Sequence, residues 1–345
     1  MRVLGWPAYR NRQSNPYPWL LYSHLSKYGV SIDEFSTARL LFGKYDILHV
    51  HWPEHHFIKP SVFQTLLRAT RLLGILSMAR VCGTRLVWTV HNLQPHEQYH
   101  PVIERWVWKT FTGLIDAYSS LSSSAIEQIL RQYPALCKKK VFVAPHGHYR
   151  GFYHDDLSKT EARRKLDIAV SATVIGFLGR ISTYKNTLSL IKSFSQLRNE
   201  DLILLIAGKP DRESIEEEIN RLAENDPRIH LHLDFVQEDD IQLYLKATDL
   251  VVLPFVEILN SGSALLSLSF GCPILVPEKG SMGELRAYVG DEWVRTYRGE
   301  LTSEKVQDAL DWAIGARGTD YPDLGSFEWD KAAEQTKRAF ERCLG

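Results

Sequence analysis

Disulfides have almost no material here: the 345 residues include only four cysteines, Cys82, Cys137, Cys272 and Cys343. They stand far apart with no C-x-x-C pair, which argues against a disulfide framework or a clustered zinc site and fits a reducing compartment. A membrane-spanning segment is missing too, because a span needs about 20 predominantly apolar residues. The most apolar stretch, residues 66–79, is interrupted by Arg68 and Arg71 and closed by Arg80. Met1-Arg2 runs directly into Val3-Leu4-Gly5-Trp6, which reads as a buried strand. No secretory leader is therefore expected, and the cytoplasm is the expected compartment. No D-x-D pair occurs anywhere, which removes the usual carboxylate pair for a metal-bridged diphosphate. Neither a metal nor a resident cofactor is expected. Repeats and low-complexity segments are absent.

What is present suffices for two cores, since 44% of the residues are hydrophobic over a length of two ordinary domains. The formal net charge of zero conceals an asymmetry. Residues 1–150 carry 18 Lys and Arg against 8 Asp and Glu, with ten of the 13 histidines, and the remainder has an equal acidic excess. A solvated face explains a modest imbalance. A difference this large points to a basic lobe facing an anionic surface, membrane lipid or nucleic acid.

Short apolar runs alternate with amphipathic segments along the whole chain, the pattern of βαβ units and a mostly parallel sheet. In the first half the pattern predicts strands near residues 3–6, 46–52, 85–90, 117–121 and 141–144, with helices over 19–28, 60–80, 102–115 and 123–132. A linker is expected over 151–165. The pattern then restarts, with strands near 174–178, 202–207, 229–235, 250–254 and 273–276. The expected architecture is α/β, two tandem Rossmann-like domains spanning 1–160 and 161–325, with the active site in the cleft between them. A last helix within 326–345 has no strand after it and is expected to return to the first domain.

Ligands of open α/β sheets sit beyond the carboxyl ends of the strands, so polar residues there are the ones that matter. In the first domain these are Asn15-Pro16-Tyr17, His51-Trp52-Pro53-Glu54, His91-Asn92, Ser122-Ser123 and His146-Gly147-His148. Asn15, Tyr17, His51, Trp52, Asn92, His146 and His148 are the candidate acceptor-binding residues. In the second domain the first strand runs into Gly179-Arg180-Ile181-Ser182-Thr183-Tyr184-Lys185-Asn186. A glycine turn, two cations and a helix start are what a diphosphate needs. A second loop, Phe255 to Gly262, ends in Asn260-Ser261-Gly262 before a small-residue helix, where Asn260 or Ser261 also suits an N-cap. Gly208-Lys209 and Phe235-Val236 are placed at the nucleoside end. The donor-side candidates are thus Gly179, Arg180, Lys185, Gly208, Lys209, Val236, Glu257, Asn260, Ser261 and Gly262.

The second half resembles the donor domain of GT-B glycosyltransferases of the family-4-like clan. The carriers are Ile175-Gly176-Phe177-Leu178-Gly179-Arg180 with Tyr184-Lys185-Asn186, Leu205-Ile206-Ala207-Gly208, and the run from Tyr244 to Pro254. Nearly the whole chain is similar to the β-1,4-mannosyltransferases of xanthan-type exopolysaccharide assembly, through Asn15-Pro16-Tyr17, residues 45–54, His91-Asn92-Leu93, Pro95-His96-Glu97, residues 146–150 and Asn260-Ser261-Gly262. That resemblance implies GDP-mannose as donor, inversion at the anomeric carbon and a polyprenyl-diphosphate-linked oligosaccharide as acceptor. The clan usually carries two glutamates eight apart around the donor loop. Here Ile258 and Leu266 hold those places, with Glu257 one residue away, which agrees with the inverting subfamily.

Inverting transfer needs a base on the acceptor lobe and stabilisation of the leaving diphosphate. Glu54 is the first candidate base, since Trp52 and Pro53 would desolvate it, with His91 second and Glu97 third. A nucleotide sugar, a lipid-linked glycan and a membrane surface reached through the basic domain are the expected partners, without nucleic acid. The expected location is the inner face of the cell membrane, as a peripheral protein. Rival readings are a retaining GT-B transferase, a sugar-nucleotide epimerase of the same fold, and a non-catalytic binding protein.

Overall fold

The computed structural model describes residues 1–93, 98–315 and 319–345. The chain forms two compact units, residues 1–147 with 326–345, and residues 148–325.

The first unit is built on β1 (Arg2–Trp6), β2 (Ser31–Glu34), β3 (Ile47–His51), β4 (Arg85–Val90), β5 (Ala117–Ser120) and β6 (Lys140–Val143). Every pairing is parallel, in the order β2-β1-β3-β4-β5-β6. The intervening helices are α1 (Tyr17–Lys27), α2 (Thr37–Phe42), α3 (Val62–Val81), α4 (Pro101–Leu114) and α5 (Ile126–Gln132). The central strands are buried on both faces, as helix-covered parallel sheets are, so they read as apolar runs without alternation.

The second unit repeats the plan with β7 (Thr173–Leu178), β8 (Leu202–Ala207), β9 (Ile229–His232), β10 (Leu250–Val252), β11 (Ile274–Pro277) and β12 (Val294–Tyr297). Their order is β12-β11-β10-β7-β8-β9, again all parallel. The helices are α6 (Lys159–Lys165), α7 (Thr187–Phe194), α8 (Glu213–Ala223), α9 (Ile241–Ala247), α10 (Gly262–Ser269), α11 (Met282–Val289) and α12 (Ser303–Ile314).

In each sheet the connection order reverses at one place, between β1 and β3 in the first and between β7 and β10 in the second. Loops leaving the strands there run to opposite faces, which opens a crevice at the carboxyl ends. Tyr17 and Trp52 to Glu54 come after β1 and β3, and Gly179 to Lys185 and Glu257 to Gly262 after β7 and β10. His91 and Asn92 instead follow β4, His146 follows β6, Gly208 and Lys209 follow β8, and Val236 follows β9.

Several sequence expectations need correction. Residues 148–160 belong with the second unit, not the first. The Tyr149 amide donates to Ser269 Oγ at 2.9 Å, and the amides of Asp156 and Leu157 both donate to Gln242 Oε1 at 3.1 Å. The expected linker contains α6, started by a Ser158–Glu161 capping box that satisfies free amides of its first turn. Strand β9 stops at His232, three residues short of the expected end. On α3 the leucines divide: Leu72, Leu73, Ile75 and Leu76 fill the core, whereas Leu66 and Leu67 are exposed.

The chain ends in α13 (Trp329–Leu344), which lies in the first unit against α1 and β6. Its buried residues Trp329, Ala332, Ala333, Thr336, Ala339, Phe340 and Cys343 recur at three- and four-residue spacing, one helical stripe. Trp329 lies edge-on to Tyr17, with ring centroids 5.4 Å apart, and leaves no room for a side chain at Gly147, whose Cβ would fall 2.2 Å from the indole. Trp329→Ala should therefore destabilise this unit by about 3–5 kcal/mol, the usual cost of removing a buried aromatic. Urea unfolding followed by far-UV circular dichroism would check it, with an unchanged first transition as the contrary result.

Candidate active site

In the first unit, β3 and β4 end side by side and place polar residues on one face. Side chains two apart on a strand point the same way, so His49 with His51 and Thr89 with His91 form two adjacent pairs. They join one hydrogen-bonded chain. Thr89 Oγ1 lies 2.7 Å from His49 Nε2, and His49 Nδ1 lies 2.9 Å from the Tyr22 hydroxyl. The same hydroxyl is 2.9 Å from His51 Nε2, and His51 Nδ1 is 2.9 Å from His91 Nε2. Tyr22 reaches the strands from α1 because Gly5 of β1 gives it space, since a Cβ there would stand 2.7 Å from the phenol ring. Phe340 of α13 meets the His49 ring edge-on at 5.1 Å. Burial keeps these imidazoles neutral near pH 7: it pulls His49 down to about 3, His146 to about 4, and His51 and His91 well below the usual value.

Around this chain, Tyr17 meets His51, His91 and His146 at ring distances of 5.8, 4.9 and 4.8 Å. Trp52 stacks on His91 at 4.1 Å and 20°. It holds a left-handed backbone (φ 45°), unusual for so bulky a residue, at the turn that ends β3. That turn carries Glu54 into a buried position, where desolvation pushes its carboxyl up to about 7 against the opposing pull of its own backbone amide and Asn92. A carboxylate with that affinity accepts a proton readily at neutral pH. Asn15 takes a different part: its Oδ1 accepts the Tyr17 amide at 3.1 Å and so shapes the start of α1.

The loop after β1 is closed by its own chain. The amides of Tyr9 and Arg10 donate to Glu34 Oε2 at 2.7 and 3.1 Å, and the Ala8 amide joins them at 3.2 Å. The amide nest where a Rossmann-like domain would take an anion is thus filled by a side chain.

The second unit is the opposite case. Lys185, only 8% exposed, lies on the loop after β7 and makes no hydrogen bond or ion pair among the described residues. Burial, with help from the Arg180 charge, lowers its ammonium to about 8. Gly179 (φ 133°) sits between the two loops: a Cβ there would fall 3.0 Å from Lys185 Nζ and 3.5 Å from Ser263 Oγ of α10. Gly208 (φ 140°) presses on it so closely that its Cβ would meet the Gly179 carbonyl oxygen at 2.1 Å. The loop leading into α10 is held in place by the Val256 amide donating to the Tyr184 carbonyl and by Ser281 donating to the Leu259 carbonyl. Ser261 Oγ caps α10 by accepting the Ala264 amide at 3.0 Å. That settles its hydroxyl as an N-cap, and leaves the first amides of the helix free for a ligand. Buried Asn260 Nδ2 and Thr187 Oγ1 also have no hydrogen-bond partner among the described residues. An unpaired buried cation beside a helix N-terminus is arranged for an anion.

Of the remaining candidates, Arg180, Lys209 and Glu257 are exposed, and Val236 is half-buried beyond β9. His148, expected with the acceptor residues, lies in the second unit, where its Nδ1 accepts the Arg150 amide at 3.1 Å. Glu97, together with Pro95 and His96, lies outside the described residues. The sequence reading missed Tyr22, His49, Thr89 and Glu34. His49 and Thr89 were signalled by their two-residue spacing from His51 and His91, whereas Tyr22 and Glu34 gave no signal. Among the described residues, no three His, Cys, Asp or Glu side chains converge as around a metal ion.

Residues 158–310 match the family model of glycosyl transferases group 1. The two all-parallel units match solved GT-B structures along their full length. Sucrose-phosphate synthase from Thermosynechococcus elongatus superposes with a TM-score of 0.71 at 13% identity, over 99% of this chain and 98% of that one. The chain has the two-unit fold of GT-B glycosyltransferases and carries a glycosyltransferase domain over residues 158–310. More particularly, it is 28% identical over 344 residues to GDP-mannose:glycolipid 4-β-D-mannosyltransferase of Xanthomonas campestris pv. campestris, covering 97% of this chain and 90% of that protein. A putative UDP-N-acetylglucosamine 2-epimerase from Listeria monocytogenes shares the fold at a TM-score of 0.56 and 14% identity, over 99% of this chain and 95% of that one.

Lys185 yields a pH-dependent prediction. An anion bound beside it raises its proton affinity, so binding of a nucleoside diphosphate near pH 8 should draw in a proton, and affinity should fall as pH rises past about 8. Titration calorimetry in buffers of different ionisation enthalpy would register the uptake. Lys185→Met should abolish it, and equal uptake by both proteins would contradict the assignment.

Proposed function

We propose that this enzyme transfers mannose from GDP-mannose to a glycolipid acceptor, with inversion, in the assembly of an exopolysaccharide. The full-length likeness to a GDP-mannose:glycolipid 4-β-D-mannosyltransferase carries the reading. In this scheme Glu54 takes the proton of the attacking acceptor hydroxyl. The oxygen bonds to the anomeric carbon, the bond from that carbon to the β-phosphate oxygen breaks, and the nucleoside diphosphate departs. Lys185, Arg180 and the free amides at the start of α10 receive the leaving charge, in the role a metal ion plays elsewhere. The acceptor side is assigned to Tyr17, Trp52, Asn92 and His146, and Gly208, Lys209 and Val236 to the nucleoside end.

Incubation with GDP-mannose and a polyprenyl-diphosphate oligosaccharide, with the product anomer read by NMR, tests the scheme. A β-linked mannoside formed in excess EDTA is expected. An α-linked product, or activity restored only by added magnesium or manganese, would overturn inversion or metal independence respectively. Glu54 must be ionised to act, so kcat/KM should rise with pH and level off above about 7, falling about tenfold for each unit below that. Glu54→Gln should remove this limb and lower turnover by about 10²–10⁴-fold. Near-normal turnover would remove Glu54 from the role.

The surface of the first unit supports the reading of a peripheral position on the membrane. Among the described residues no helix is long and apolar enough to cross a membrane. Helices α2, α3 and α4 pack side by side and leave Phe42, Phe63, Leu67, Val102 and Trp106 exposed, with Arg68, Arg71, Arg105 and Lys109 among them. Exposed aromatics with long-stemmed cations suit the lipid headgroup depth. Flotation should find the protein on anionic but not zwitterionic vesicles, with binding weakened by salt. Equal partitioning onto both would count against it.

A further inference from the structure

The buried chain from Thr89 to His91 has a direction, and the direction decides what His91 can do. Between the two ends lie four hydrogen bonds and three hydrogen-bonding residues, His49, Tyr22 and His51. Each imidazole is neutral and carries one proton, so it donates through one nitrogen and accepts through the other. The Tyr22 hydroxyl has one proton for two histidine neighbours, so one neighbour accepts from it and the other donates to it. Only two patterns satisfy all four bonds and also give the buried Tyr22 proton an acceptor, one running toward His91 and one away from it.

Thr89 selects between them. Its side chain is buried at 2% exposure, and its sole hydrogen bond among the described residues is the one to His49 Nε2. If Thr89 accepted that bond, its own hydroxyl proton would be buried with no acceptor, which costs more than an unused lone pair. Thr89 therefore donates. His49 then carries its proton on Nδ1 and donates to the Tyr22 oxygen. Tyr22 donates to His51 Nε2, His51 donates from Nδ1 to His91 Nε2, and the His91 proton is left on Nδ1.

We propose that Thr89, through His49, Tyr22 and His51, locks His91 as the Nδ1–H tautomer, so that His91 is a hydrogen-bond donor to a substrate oxygen and not a base. His91 Nδ1 makes no hydrogen bond among the described residues, and Trp52 stacked on the ring fixes its plane. Thr89, His49, Tyr22 and His51 are positioning residues, acting only through His91. This rests on the transferase reading, and it makes Glu54 the remaining described candidate for proton acceptance.

The tautomer can be read without any substrate, from long-range ¹H–¹⁵N correlations of ¹⁵N-histidine-labelled protein at pH 7. Wild type should show His91 neutral with its proton on Nδ1. Thr89→Val keeps the shape but removes the donor, so it should give a mixed or Nε2–H signal, while Thr89→Ser should retain the wild-type signal. In the transfer assay Thr89→Val should lose up to about tenfold in kcat/KM, the value of one misdirected hydrogen bond, and Thr89→Ser should recover it. A wild-type His91 that is charged or protonated on Nε2, or a Thr89→Val protein with an unchanged tautomer, would overturn the proposal. Failure of transfer with correct tautomers would instead fall on the assigned reaction.

Discussion

Parallel strands all send their carboxyl ends to the same edge of a sheet, and this constraint organises both units. Every loop that leaves such an edge is a loop that can carry function, and at the switch point two of them diverge. In the first unit those are the loops after β1 and β3. In the second they are the loops after β7 and β10, held around Gly179 and Gly208 at distances only glycine permits.

Desolvation is the common cause behind the chemistry of both sets of residues. It is the first cause of the raised Glu54 carboxyl, the lowered Lys185 ammonium and the neutral histidines. All of these groups are buried. Trp52 covers His91, and Phe177 and Phe255 each stand 5.9 Å from Lys185 Nζ. A buried ionisable group without a partner is unfavourable in the free protein, and the imbalance is relieved by a ligand of matching charge or by the proton of a reacting hydroxyl.

The two units use the same plan for different tasks. In the first, the amides after β1 are already occupied by Glu34, and the crevice residues are neutral imidazoles, aromatic rings and one carboxyl. In the second, the corresponding region has a free cation and free helix amides. A diphosphate is suited to the second and repelled by the first, so the division of labour follows from which nest is left open.

The alternation of apolar runs and amphipathic segments was sufficient to define two Rossmann-like units, because burial on both sheet faces demands that composition. Strand ends were legible as well, and with them Tyr17, His51, Glu54, His91, Gly179 and Lys185. Short edge strands such as β2 and β12, half-exposed and without an apolar run, were not. Nor was the assignment of residues 148–160, which depends on hydrogen bonds to residues about 90 to 170 positions away. Tertiary structure alone placed Tyr22 between two histidines and Trp329 against Gly147. It also showed Ser261 spending its hydroxyl on a helix cap, and Lys185 buried with no ion pair among the described residues. Local sequence determines which way a strand's side chains alternate. Which distant group then faces them, and whether water is excluded when it does, is decided only by packing.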